Sequence, residues 1–302
     1  NHLHRKASHL QHLLTGFPDL SETLHFIRTF DGNKYFKDED GSCFRAYRFV
    51  DNSKAYDTVD SAEVFGKSGK AFGRFQKYLS DFPAESLSEI IKNFHNTIWR
   101  YENEFIPAVQ ADKADRAVNC GEEIKFVMHR REDCKKLVEL IDKGELPLRV
   151  THNDTKLNNV LFDSDSDDAI CVIDLDTVMP GLALYDFGDS IRFGANSCAE
   201  DDDNYDKVEL MLDYFEAYAK GFLSEAGDAL NQCEIDNLAF SAKLMTFECG
   251  MRFLTDYLNG DTYFKTAYPE HNLVRAKNQF ALVADMERKM EQMQQIIKNI
   301  TE

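Results

Sequence analysis

Four polar residues of different kinds, His152, Asp154, Lys156 and Asn159, stand close together, and two carboxylates, Asp174 and Asp176, follow them in the stretch THNDTKLNNVLFDSDSDDAICVIDLD, residues 151–176. Between the two groups lie an apolar run, VLF, an acidic turn, and a second apolar run, AICVI, that ends on Asp174. Apolar runs bounded by turn residues predict two short strands joined by a tight turn, with an amide and carboxylates at their ends. That set suits a divalent cation and a phosphoryl group. Phosphoryl transfer asks a protein chiefly for positioning and charge neutralisation: a carboxylate near the acceptor hydroxyl, a cation near the phosphates, and oxygen ligands for Mg²⁺. The cluster supplies all three. A lone H-x-D or D-x-D is ordinarily a solvated turn. The joint pattern, in this order and in a strand–turn–strand context, carries the reading.

The run H-N-D-T-K-L-N-N resembles the catalytic loop of the protein-kinase-like superfamily, H-x-D-x-K-x-x-N, and V-I-D-L-D resembles the metal-binding segment of its aminoglycoside and choline kinase branch. The resemblance implies that Asp154 orients the acceptor hydroxyl and takes its proton and that Lys156 faces the transferred phosphate. It also implies that Asn159 and Asp174 ligate Mg²⁺, with Asp176 as a second-metal or supporting carboxylate. His152 is expected to be a buried, hydrogen-bonded structural residue rather than a base. Residues 186–188 spell Asp-Phe-Gly, the letters of the protein-kinase metal motif, but they follow a Pro180-Gly181 turn instead of ending an apolar strand. Asp186 therefore matches the buried aspartate that braces the catalytic loop by accepting backbone hydrogen bonds. The wider strings DLDTVMPGLALYDFGDSIRFGAN and MTFECGMRFLTDYLNGDTYF resemble the N-acetylhexosamine 1-kinases, over nearly the whole chain. That resemblance implies ATP-dependent phosphorylation of the anomeric hydroxyl of N-acetylglucosamine or N-acetylgalactosamine.

The elements that must position these residues are legible in part. Leu3, Ala7, Leu10 and Leu14 share one helical face that ends at Gly16, and His2, His4, His9 and His12 on the same segment, interleaved with Arg5 and Lys6, read as a solvated face rather than a metal site. The chain opens inside this pattern, so its amino terminus is expected to be a truncation. Residues 23–50 alternate apolar and polar residues around Asp31-Gly32 and the DEDG turn, predicting an antiparallel meander. By the resemblance this is the latter half of a small lobe, and Phe49 and Val50 lead into the hinge that meets adenine. No Gly-rich loop or strand lysine is found ahead of it. GKSGKAFG, residues 66–73, matches neither phosphate-loop pattern and is expected to be a helix start and loop.

From about residue 52 the pattern is helical. Leu87, Ile90, Ile91, Phe94, Ile98, Tyr101 and Phe105 recur at i, i+3, i+4 spacing, with Pro107 bounding the helix. Further helices are expected over about 131–143, 204–225, 231–259 and 271–299, with Met286, Met290 and Met293 in the core. Arg252 stands four residues before Asp256, so a simple helical ion pair is one reading. The resemblance instead points this helix and Tyr263 at a sugar pocket. The fold class expected is α+β, a protein-kinase-like two-lobe fold: residues 1–51 an incomplete small lobe, residues 52–302 a mostly helical large lobe.

The chain has 302 residues, 43% hydrophobic and 12% aromatic, which is the composition of a folded protein with ample core. Its net charge of −18 opposes nucleic-acid or anionic-membrane partners, and it has no long apolar run. Seven cysteines without a C-x-x-C pair argue against a metal or disulfide framework, and Cys171 reads as a core residue. A cytoplasmic enzyme with ATP, Mg²⁺ and a small-molecule sugar as partners is the resulting expectation, its oligomeric state open. Two rivals remain: a kinase of choline, an aminoglycoside or another sugar, and a non-catalytic, pseudokinase-type binding module.

Overall fold

The computed structural model describes residues 23–302, so the expected helix around Leu3–Leu14 and its four histidines lie outside the described residues. The small lobe is two antiparallel strand pairs, β1 (Phe26–Ile27) with β4 (Ala46–Tyr47) and β2 (Phe36–Lys37) with β3 (Cys43–Phe44). Gly32 and Gly41 turn the chain at φ +77° and +89°, a backbone state open to glycine because it lacks a Cβ. The strands are antiparallel as expected, but they are not a meander: β1 pairs with β4 and β2 with β3, one hairpin nested within the other pair, and Phe36, Phe44 and the following Phe49 are exposed.

β5 (Ser53–Lys54) pairs with β7 (Val160–Asp163), which pairs in turn with β8 (Ala169–Val172), all antiparallel. β6 (Arg149–Thr151) pairs with β9 (Met179–Gly181). The acidic turn between β7 and β8 is closed by Asp163 Oδ1, which accepts the backbone N–H groups of Asp165 and Ser166. These donors hold the Asp163 carboxyl below its ordinary range.

The helices that support these strands are α1 (Ala62–Tyr78), α2 (Thr97–Arg100), α3 (Ile106–Ala111), α4 (Gly121–Met128), α5 (Arg131–Asp142), α6 (Ala183–Gly194), α7 (Leu212–Ala226), α8 (Gln232–Asp236), α9 (Leu238–Asn259) and α10 (His271–Thr301). Two expectations are corrected. Residues 66–73 are not a helix start and loop but the middle of α1, which begins earlier because the Ser61 side chain accepts the Val64 N–H as N-cap. Their glycines face α7 instead of a phosphate. A methyl group on Gly73 would overlap the Phe222 carbonyl, and one on Gly221 the Gly66 carbonyl. Close backbone approach, which only glycine allows here, explains their spacing.

Nor does one helix run from Leu87 to a stop at Pro107. Residues 87–96 are irregular, Asn96 caps α2 by accepting the Trp99 N–H, and the helix continues through a π turn, Tyr101–Phe105, into α3. Pro107 lacks an N–H, and its ring would crowd the carbonyl four residues back. The wider π turn just before it, closed by the Ile106 N–H on the Tyr101 carbonyl, lets the helix pass.

Two apolar clusters result. The larger fills the helical lobe and includes Phe187, Phe215, Tyr218 and Phe222 around α6 and α7, with Met286 and Met293 buried as expected. The smaller joins Leu24 to Phe75, Leu79, Val150, Cys171, Leu175 and Val178. It lies between α1 and the strands that carry the polar cluster, fixing both ends of that cluster at once.

Candidate active site

The loop after β6 is held by its backbone. The buried Asp186 carboxylate, in the first turn of α6, accepts the N–H groups of His152 (2.9 Å) and Asn153 (2.8 Å), and Gln76 of α1 donates to the same carboxylate (2.8 Å). One turn on, Asp189 accepts the Thr155 N–H at 3.0 Å. Burial pushes Asp189 up, but the charge and hydrogen bonds of Arg192 outweigh it and hold the carboxyl below its ordinary value. Asn153 occupies the left-handed region at φ +65°, and its amide donates to the carbonyls of Thr151 and Thr177. His152 is fully buried against Phe72 and Phe75, with Nε2 2.8 Å from the Ile173 carbonyl. Both faces of the turn are thereby fixed before any reactant is considered.

Out of this frame Asp154 projects, half-buried. Asn159 Nδ2 donates to the Asp154 carbonyl (2.8 Å) and to Asp154 Oδ2 (3.1 Å), and Lys156 Nζ lies 3.3 Å from Asp154 Oδ1. The amide nitrogen being committed, the oxygen of Asn159 is the atom left for a cation. The Ile173 N–H donates to the Asn159 carbonyl at 2.9 Å, which brings Asp174, left-handed at φ +55° and exposed, to the same end of the β7–β8 hairpin. Asp176, also exposed, is ion-paired with Arg45 of the small lobe. Phe49 and Val50 lie just before β5; Phe49 is exposed, and the Val50 carbonyl accepts the Ser53 hydroxyl.

Among the described residues no group of three or more His, Cys, Asp or Glu gathers as a metal cluster. One amide oxygen and one carboxylate nonetheless fit Mg²⁺, a hard cation that takes a few protein oxygens and fills its shell with phosphates and water.

A cleft of about 480 Å³ is lined by residues of α3, α9, the segment 91–104, Lys113 and residues 262–264. Arg252 and Tyr263 both line it. The Arg252–Asp256 ion pair does not form among the described residues. Asp256 instead accepts the N–H groups of Thr262, Tyr263 and Phe264 and the amide of Asn272, so it shapes the cleft wall. The Arg252 guanidinium sits over the rings of Phe94, Tyr263 and Phe264 at 5.2, 5.7 and 5.4 Å.

The link from cleft to loop runs through residues that the helical reading of 87–105 had hidden. His95, next to Phe94, packs its ring, tilted at 42°, 5.1 Å from that of Tyr185, which precedes Asp186, and places Nδ1 2.8 Å from the buried Glu248. Burial pushes Glu248 up, while His95, Arg100 and Thr97 together hold its carboxyl below the ordinary range. Asp189 with Arg192 was discoverable from the i, i+3 charge pair in DSIR. Gln76 and Glu248 left no such signal, being single polar residues within long helical patterns.

Comparison with solved structures places the molecule in a class before it places it in a family. It resembles a microcompartment-associated aminopropanol kinase (TM-score 0.61, 15% identity, covering 96% of this chain and 82% of that one). It also resembles a spectinomycin phosphotransferase in complex with ADP and spectinomycin (0.55, 13%, 96% and 83%) and the choline kinase of Cryptosporidium parvum (0.53, 14%, 93% and 79%). At these identities the likeness is one of fold: an α+β, two-lobe kinase-like architecture. Residues 16–221 match the phosphotransferase enzyme family, more than half of the chain, and the protein belongs to that family. It is an enzyme that transfers a phosphoryl group to a hydroxyl acceptor.

Proposed function

We propose that the chain transfers the terminal phosphoryl group of ATP to the anomeric hydroxyl of an N-acetylhexosamine. One observation carries the phosphoryl-transfer geometry: a half-buried Asp154, bonded to Asn159 and Lys156, on a loop whose backbone is pinned by buried carboxylates. In this reading residues 1–51 form the small lobe, Phe49 and Val50 meet adenine, and Asp154 holds the acceptor hydroxyl in line with the phosphate. Because the transition state of such transfers is loose, Asp154 acts chiefly by orientation. Lys156 faces the moving phosphoryl group and offsets its charge. Asn159 Oδ1 and Asp174 would hold Mg²⁺, which when bound neutralises phosphate charge. Asp176, paired with Arg45, supports that end of the site from the small lobe. The ADP in the spectinomycin phosphotransferase complex supports a nucleotide donor.

The cleft supports the sugar. A ring with hydroxyl and acetamido groups needs aromatic faces and fixed polar donors, and Tyr263, Phe264 and Arg252, which line the cleft, supply them. A second reading, an amino-alcohol acceptor, draws on the names of the aminopropanol and choline kinases among the neighbours. A cationic acceptor calls for an acidic, aromatic pocket; the cleft has the aromatic faces, but both of its carboxylates are engaged, Glu104 by Arg100 at 2.6 Å and Asp256 by loop donors. A panel of N-acetylglucosamine, N-acetylgalactosamine, choline, ethanolamine and an aminoglycoside separates the two. Arg252→Ala should raise KM for the sugar more than KM for ATP; an unchanged sugar KM would remove Arg252 from the acceptor site.

A further inference from the structure

In a chain of net charge −18, the cleft under Arg252, joined to the loop after β6 through Phe94, His95 and Tyr185, is locally positive. Lys92, Arg100, Lys113 and Arg252 line it against two carboxylates, Glu104 and Asp256. Arg100 is spent on Glu104 and on the Phe94 carbonyl (2.6 Å each). Asp256 is spent on the loop N–H groups and Asn272. Lys92 and Lys113 have no ion pair or hydrogen bond among the described residues. The Arg252 guanidinium makes no ion pair or hydrogen bond among the described residues either; it sits over three aromatic rings.

This pattern is unusual in its economy. A partly buried guanidinium ordinarily finds carbonyls or a carboxylate, because five N–H donors are costly to leave unmade. Here the rings fix the plane of Arg252 without using its donors, so a rigid fork is presented to whatever enters. Such a fork matches the two oxygens of a carboxylate or phosphate, and two lysines nearby add charge of the same sign.

We propose that the cleft binds an anionic group, a carboxylate or a phosphate, carried on a sugar, with Arg252 as its bidentate partner and Lys92 and Lys113 as supporting charge. The inference rests on the cleft being the acceptor site and narrows the proposed N-acetylhexosamine acceptor to one that also bears an acidic group. Since the overall field of the protein repels anions, recognition must come from these three side chains at short range.

Calorimetric titration of the full chain with galacturonic acid, its methyl ester, N-acetylglucosamine and N-acetylglucosamine 6-phosphate tests this without requiring turnover. The acid should bind roughly tenfold or more tightly than its ester, and the preference should shrink as salt is raised. It should vanish in Arg252→Gln and weaken in the double variant Lys92→Gln/Lys113→Gln, whose exposed side chains carry no fold contacts. Comparing the uronate with the 6-phosphate tells which anionic group fits better. Equal affinity for acid and ester, or a preference that survives in a folded Arg252→Gln, would overturn the proposal. Binding of N-acetylglucosamine without any acid preference also overturns it, yet leaves the phosphotransferase reading intact; binding of no sugar removes the cleft as acceptor site and the inference with it.

Discussion

At the scale of single residues, the groups proposed to act differ from those that hold the loop. Asp154 is half-buried and bonded by side chains alone, so Asp154→Ala should leave the denaturation midpoint nearly unchanged while lowering kcat by about a hundredfold or more. A comparable loss of stability would instead make it structural. Asp186 is the opposite case. Its removal strands two buried N–H groups, at roughly 1–3 kcal/mol each, so Asp186→Ala should unfold at distinctly lower denaturant than Asp154→Ala. Glu248 gives a pH test. Its folded-state pKa is lowered from the ordinary 4.5, so the stability it contributes is complete above that value and is lost as pH falls through the lower folded one. Wild type should therefore lose its advantage over Glu248→Gln on acidification in that window, measured by denaturant titration; a constant difference between the two would remove the charged pairing with His95. The proposed reactive residues could be picked out in the sequence because their chemistry requires a fixed order of types along one short stretch. Glu248 was not, since a carboxylate buried under a histidine leaves no periodic trace in a helix.

Elements decide whether those residues meet. The β7–β8 hairpin could be read from apolar runs and breakers, and Gly144 at φ +72° follows the helix predicted over about 131–143; Pro180-Gly181, expected as a turn, instead lies within β9, paired with β6. Two elements misled for physical reasons. The GKSGKAFG string reads as a loop because three glycines lower helix propensity, yet tertiary contact with α7 overrides that preference. Replacing Gly73 or Gly221 by Ala should cost about 1–3 kcal/mol from overpacking, seen as a lowered Tm. Gly121→Ala, where an added methyl meets nothing within 4 Å, should be neutral or slightly stabilising; equal effects at all three sites would discard the close-approach account. The stripe from Leu87 to Phe105 kept helical spacing without helical structure over its first half, where Phe94 and His95 instead turn toward α9 and α6. Periodicity reports which residues are apolar, not what backbone presents them.

Across the whole molecule, family membership and fold follow from the match over residues 16–221 and from the two-lobe likeness to known kinases. The loop after β6 is framed from two directions, by α1 through Gln76 and by α6 through Asp186 and Asp189, while Arg45 of the small lobe pairs with Asp176. Charge divides the surface in the same way: an acidic body that disfavours polyanions, and a cleft whose uncommitted cations disfavour choline-like acceptors. The central claim is tested most directly by phosphorus NMR of the chain with Mg²⁺, ATP and N-acetylglucosamine or N-acetylgalactosamine, with Asp154→Ala as control. The account predicts a sugar 1-phosphate signal that the variant loses. ATP left intact with every hydroxyl acceptor offered would contradict it and favour a non-catalytic binding module, whereas a phosphorylated choline or aminoglycoside in place of the sugar would keep the chemistry and overturn the acceptor.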